Sequence, residues 1–204
     1  MTIFQKSLAD HAELFSRLAP LELPLARIAG DAARVLKDGG RLFFCGNGGS
    51  AADAQHIAAE LVGRFVKDRR ALKAIALTTD SSALTCIGND FGFDYIFARQ
   101  LEGVASAGDM VFLITTSGNS TNLVLAAEAA RAMGVRSVGL LGKGGGKLMP
   151  LVDDAIVVPG DETARIQEAH IFLGHALCAL IESGLGLGEW HSWLEASTHR
   201  ERQS

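Results

Sequence analysis

Few features in this chain tie it to a disulfide framework, a membrane or a nucleic acid. Its three cysteines, Cys45, Cys86 and Cys178, lie far apart and form no C-x-x-C pair. Cys45 and Cys178 fall in apolar runs, so small buried side chains in a reducing compartment are expected. No apolar run approaches the roughly 20 residues that span a bilayer. The N-terminus carries Gln5, Lys6, Asp10 and Glu13 where a signal peptide would have a continuous apolar stretch. The chain is therefore expected in the cytoplasm, with no membrane partner. Positive charge is also short: 19 Lys and Arg stand against 23 Asp and Glu, a net charge of −4. That leaves no basic field for a nucleic-acid partner. The local basic cluster Arg64, Lys67, Arg69 and Arg70 is expected to be a solvated helix end. No internal repeat and no low-complexity segment is present.

What is there is enough chain for one domain with a real core: 204 residues, 48% apolar, with 23 glycines. Frequent glycine in an apolar chain suits an α/β protein with tight strand-to-helix turns. Residues 3–18 place Ile3, Phe4, Leu8, Ala12, Phe15 and Leu18 at helical spacing, and residues 25–36 form a second helix closed by Gly39-Gly40. Both precede the first strand and need a surface, on their own sheet or on another subunit. Strands are then expected at 41–45, 73–77, 110–115, 137–141 and 155–158. Helices are expected at 50–65, 82–87, 95–104, 120–133 and 163–183, with a turn at 88–92. This alternation argues for a parallel sheet covered by helices on both faces.

Ligands of such sheets bind beyond the carboxyl ends of the strands. Two loops there are rich in hydroxyls and glycine: Asn47-Gly48-Gly49-Ser50, and Thr115-Thr116-Ser117-Gly118-Asn119-Ser120. Each leads into a helix, whose free N–H groups and dipole favour an anion. Ser50 and Ser120 acting as simple helix caps is the alternative for either loop alone. Residues 46–51 also fit G-x-G-x-x-A, but the expected acid about 20 residues on is missing, and Asp80 stands further away. His56 and Glu60 are four apart on one helix face, as metal ligands or an acid–base pair would be. On the last helix Gln167 and His175 fall on adjacent parts of one face, and His170 reads as a core histidine. Asn89-Asp90 reads as turn chemistry.

The motifs CGNGGS, D-A-x-H-x-A-x-E-L, GNDFGF, T-S-G-N-S and R-I-Q-E-x-H, with a later His, occur in this order. Together they make the chain resemble the sedoheptulose 7-phosphate (phosphoheptose) isomerases of the sugar isomerase (SIS) superfamily, from about Ala9 to Glu182. The resemblance implies a three-layer SIS fold, with a five-stranded parallel sheet, helices on its faces and two N-terminal helices for oligomer packing. It implies a single domain over 1–184, with helices in 1–38 and the α/β core in 39–184. It also implies a homotetramer with active sites between subunits, so Gln167 and His175 could meet His56 and Glu60 from a neighbour. The implied reaction interconverts sedoheptulose 7-phosphate and D-glycero-D-manno-heptose 7-phosphate through an enediol, toward activated heptose for surface glycans.

By the same resemblance Ser50, Thr116, Ser117 and Ser120 match phosphate-binding hydroxyls, with Thr115 beside them. Asn47, Gly48, Gly49, Asn89 and Asp90 match substrate contacts. Glu60 matches the base and His175 the acid. His56, Glu60, Gln167 and His175 match four zinc ligands, Glu60 and Gln167 touching substrate as well. Thr115 replaces a more usual Ser. Thr163-Ala164-Arg165 looks more like a non-catalytic SIS branch that binds a replication initiator. That branch typically lacks Glu60 and His175, both present here, which favours the enzyme. An isomerase of another sugar phosphate remains a further reading. Residues 185–204 form an extension outside the family pattern, with Trp190 and Trp193 available for docking.

Overall fold

The computed structural model describes residues 1–187. Trp190 and Trp193, expected to dock, lie outside the described residues. Five strands form one parallel sheet in the order β2-β1-β3-β4-β5: β1 Leu42–Gly46, β2 Ala74–Ala76, β3 Met110–Thr115, β4 Arg136–Leu141 and β5 Asp154–Val157. Every expected strand is present, with ends shifted by at most a residue. β1 and β3 are buried along their whole length, as central parallel strands must be. Successive side chains serve opposite faces. Phe44, Phe112, Ile114, Val138 and Leu140 enter one core, while Phe43, Cys45, Val111, Leu113 and Leu141 enter the other.

The first core is covered by α2 (Glu22–Lys37), α3 (Gly49–Val62) and α7 (Thr163–Gly184). The second is covered mainly by α5 (Ala98–Val104) and α6 (Thr121–Met133). The two N-terminal helices behave differently. α2 buries Leu25, Ile28, Ala29, Ala32 and Leu36 against its own chain. The first helix, α1 (Ile3–Ser16), opens on a capping box between Thr2 and Gln5 and buries only Leu14. Its Ile3, Phe4 and Leu8 stay exposed.

One expectation changes. Residues 88–92 are not one turn, because α4 runs through Ser81–Asp90 and carries Asn89 and Asp90 in its last turn. Asp80 caps that helix, accepting from the Ala83 amide at 2.9 Å, which accounts for this acid without a ribose. Cys86 is exposed, unlike Cys45 and Cys178, because α4 buries no residue. Among the described residues no helix is long and apolar enough to cross a membrane.

His170, on α7, is wholly buried. Its Nε2 lies 3.2 Å from the Leu141 carbonyl, while Nδ1 is buried without a partner. Burial pushes its pKa down to about 4, against a small upward pull from that carbonyl. A depressed histidine stabilises the fold above its unfolded pKa and loses that contribution as pH falls toward the folded value. Urea unfolding should therefore lose about 2 kcal/mol between pH 7.5 and pH 5 through this group. His170→Gln should flatten that dependence.

Candidate active site

β1 is flanked by β2 and β3, so the chain leaves it in opposite directions for its two neighbours. The crevice at such a reversal is where α/β sheets bind ligands. The Asn47–Ser50 and Thr115–Ser120 loops rise from these adjacent strands. A reciprocal amide pair ties them: Asn47 Nδ2 donates to Asn122 Oδ1 at 2.9 Å, and Asn122 Nδ2 donates to Asn47 Oδ1 at 2.8 Å.

The second loop gathers its hydroxyls. Thr115 Oγ1 lies 3.4 Å from both Ser117 Oγ and Ser120 Oγ, and accepts from the Ser117 and Gly118 amides at 3.3 Å. Ser120 is the N-cap of α6 by position, yet its side chain makes no capping bond. In the first loop the cap of α3 is Gly48, not Ser50, again without a side-chain bond. Ser50 is buried in the first turn of α3. Capping therefore does not account for either serine. Neither hydroxyl is spent on capping: Ser120 Oγ lies against Thr115 Oγ1, and both serines stand at helix N-termini, which favour an anion.

The α3 and α7 helices cross closely where Gly174 faces Ile57. A Cβ at Gly174 would lie 2.6 Å from Ile57 Cδ1, so a larger residue there would displace that buried side chain. The neighbours of these two residues, His56 and His175, are thereby brought together. Their Nε2 atoms are 2.9 Å apart, and Glu60 Oε1 is 3.5 Å from His56 Nε2. Ligand atoms of His56, Glu60 and His175 all fall within 4.8 Å of one another, a group that could hold a metal ion. Two imidazole nitrogens facing each other need a proton or a cation between them, and two imidazoles with a carboxylate are a zinc-type donor set. Phe65 stacks on His175 with centroids 5.8 Å apart. Gln167 lies over the first loop: a Cβ on Gly49 would sit 2.0 Å from its Nε2. Gln167 and His175 thus meet the first loop and the His56–Glu60 pair within one chain.

Arg69 departs from the expected solvated cluster. α3 ends at Val62, and the Arg69 side chain is 2% exposed. Its Nε donates to Glu182 Oε1 at 2.7 Å, and its other nitrogens reach the carbonyls of Glu60, Leu61, Gly63 and Arg70 at 2.7–3.1 Å. A buried cation satisfies the orphan carbonyls at the end of α3 and links that end to α7. No sequence periodicity marks this role. Asn122 and Asp53 were also missed. Asp53 sits one turn before His56 with Oδ2 buried and unpartnered. Burial raises its pKa to about 6, with His56 pulling the other way. The D-x-x-H spacing was its only signal. Asn89 and Asp90 stand exposed on α4 and bond each other at 2.7 Å, apart from the histidine cluster in the hydrogen-bond network.

A pair of hydroxyl-rich loops beside a His–Glu–His group is the equipment that a sugar-phosphate isomerase needs, and the SIS domain family model matches residues 8–142. The phosphoheptose isomerase of a Nitratiruptor species is 52% identical over 179 residues, covering 87% of this chain and 96% of that protein. That of Akkermansia muciniphila is 51% identical over 171 residues, covering 84% and 90%. The solved structure of phosphoheptose isomerase GmhA from Neisseria gonorrhoeae superposes with a TM-score of 0.79 at 43% identity, covering 88% of this chain and 95% of that one. A phosphoheptose isomerase from Francisella tularensis gives 0.81 at 37% identity, covering 88% and 94%. The chain belongs to the phosphoheptose isomerase family of SIS-domain proteins.

Removing one partner of the buried pair should be expensive. Arg69→Met strands the Glu182 carboxylate and should cost about 3–5 kcal/mol in urea unfolding. The double variant Arg69→Met with Glu182→Leu should regain the part of that loss due to the stranded carboxylate, while the carbonyls of Glu60, Leu61, Gly63 and Arg70 stay without their donor.

Proposed function

We propose that this chain is an aldose–ketose isomerase that interconverts sedoheptulose 7-phosphate and D-glycero-D-manno-heptose 7-phosphate, the first step toward activated heptose for surface glycans. The observation that carries the reading is the convergence of His56, Glu60 and His175 beside two hydroxyl-rich loops. The same convergence speaks against the initiator-binding branch, which typically lacks Glu60 and His175.

In this reading Ser50, Thr115, Thr116, Ser117 and Ser120 receive the phosphate, with the N-termini of α3 and α6 behind them. Asn47, Gly48, Gly49, Gln167, Asn89 and Asp90 contact the sugar. The Glu60 carboxylate takes a proton from C1, and the freed electron pair forms the C1–C2 double bond. The ketone oxygen on C2 accepts a proton from His175, which completes the enediol. Glu60 then returns its proton to C2, the O1–H proton passes to His175, and the C1 carbonyl forms.

The donor set fits a zinc ion. His56, Glu60 and His175 would hold it, with Gln167 as fourth ligand, in a state distinct from the acid–base one, because a zinc-bound carboxylate is a weaker base and a zinc-bound imidazole nitrogen carries no proton. Bound there, zinc would supply Lewis-acid polarisation of the sugar carbonyl. We place the chain in a homotetramer with active sites between subunits. The unpartnered Ile3, Phe4 and Leu8 of α1 support this by offering an apolar surface that its own chain leaves uncovered.

Turnover of sedoheptulose 7-phosphate by the purified protein, followed by product analysis, tests the assignment. Glu60→Gln and His175→Ala should each lower kcat by about 10²–10⁴-fold with an unchanged circular dichroism spectrum. Full activity in either variant overturns the acid–base roles. Metal analysis after dialysis should find zinc at parity with the chain and its loss in His56→Ala, read independently of activity.

A further inference from the structure

The phosphate site of the proposed reaction has hydroxyls, amides and two helix ends, but its loops carry no cation. Of the chain leaving the five carboxyl strand ends before the next α-helix or strand, only the β4–β5 connection contains Lys or Arg, at Lys143 and Lys147. Resting on that functional reading, we propose that the Lys143 ammonium is the counter-charge to the sugar phosphate and selects phosphorylated over neutral sugars.

The 142–146 turn is wrapped around the phosphate loop. A Cβ at Gly142 would lie 2.7 Å from the Thr116 carbonyl oxygen, one at Gly118 2.0 Å from the Gly145 carbonyl oxygen, and one at Gly146 2.6 Å from the Ser117 carbonyl oxygen. Further bonds fix its ends: the Lys143 amide donates to the Gly160 carbonyl at 3.3 Å, and the Leu148 amide to the Gly118 carbonyl at 3.0 Å. Lys143 stands between residues that touch Thr116 on one side and Ser117 and Gly118 on the other. It is exposed, and its ammonium makes no ion pair or hydrogen bond among the described residues.

Its backbone adds a second, independent mark. Lys143 is the one non-glycine residue with positive φ among the described residues, at 49°, in a turn where Gly144, Gly145 and Gly146 are also left-handed. A side chain here opposes the steric preference of L-residues. Such outliers persist where the surrounding structure imposes them, and they cluster at ligand clamps. Glycine would fit this backbone better; lysine brings a long, flexible cation to the rim of a dianion site.

The test compares Lys143→Gly, Lys143→Met and Lys143→Arg with wild type in two assays. One is the KM for sedoheptulose 7-phosphate, and the other is calorimetric binding of inorganic phosphate, which needs no turnover. A charged hydrogen bond to phosphate implies about a tenfold or greater rise in KM and in the phosphate Kd for the Gly and Met variants. kcat should change much less, and Arg should restore most of the affinity. Lys143→Gly should keep the thermal midpoint at or above wild type, since it relieves the left-handed backbone. Lys147→Met is the control for a general loss of charge. Unchanged phosphate binding in Lys143→Met, or an equal loss in Lys147→Met, overturns the proposal. If wild type fails to turn over the heptose phosphate, the functional reading falls, while the calorimetric comparison still decides the role of Lys143.

Discussion

The contact of α3 with α7 is the constraint on which this site depends. Both helices lie on the same face of the sheet, α3 carrying His56 and Glu60 and α7 carrying His175. Gly174 lets Ile57 sink into the crossing, which brings His56 and His175 within hydrogen-bonding distance. The Arg69–Glu182 pair closes the same contact from the far end of α3. Such a pair is poor evidence of net stability, because desolvating both ions offsets much of their attraction. Its contribution here is geometric: it satisfies the last carbonyls of α3, including that of Glu60, and holds them against the helix that bears His175.

The second constraint is the topology of the sheet. Because β1 lies between β2 and β3, loops from β1 and β3 open at one crevice. The Asn47–Asn122 amide pair holds them in register, and the glycine turn after β4 wraps the second loop from outside. In the proposed reaction an anion held there would sit against one wall of hydroxyls and amides, while the groups proposed for proton transfer occupy α3 and α7. Binding and chemistry are thus carried by different elements, so a phosphate loop of this kind can serve sugars of several lengths.

Much of this was legible in the sequence. The strands announced themselves as short apolar runs, because parallel strands buried on both faces need no alternation. The two hydroxyl-rich loops, His56 with Glu60, and Gln167 with His175 were visible from residue type and spacing. The errors came where local signals are silent or misleading. Gly88 reads as a helix breaker, yet α4 continues to Asp90 because its exposed turns tolerate glycine. The run containing Arg69 reads as solvated charge, yet Arg69 is buried by a glutamate more than a hundred residues away. Lys143 reads as one more lysine in a glycine turn; the packing of that turn on the second loop and its backbone dihedral set it apart.

The sequence by itself determined the element order, the two cores and the kinds of chemistry available, because these follow from hydrophobic patterning and from short-range spacing along single helices and loops. Tertiary structure decided which groups meet. That α7 supplies its histidine to α3 of the same chain, that Asn47 after one strand is tied to Asn122 after another, and that a cation lies buried behind Glu60 all depend on long-range packing. No local pattern encodes such distances, since side chains that touch across helices share no position in a repeat.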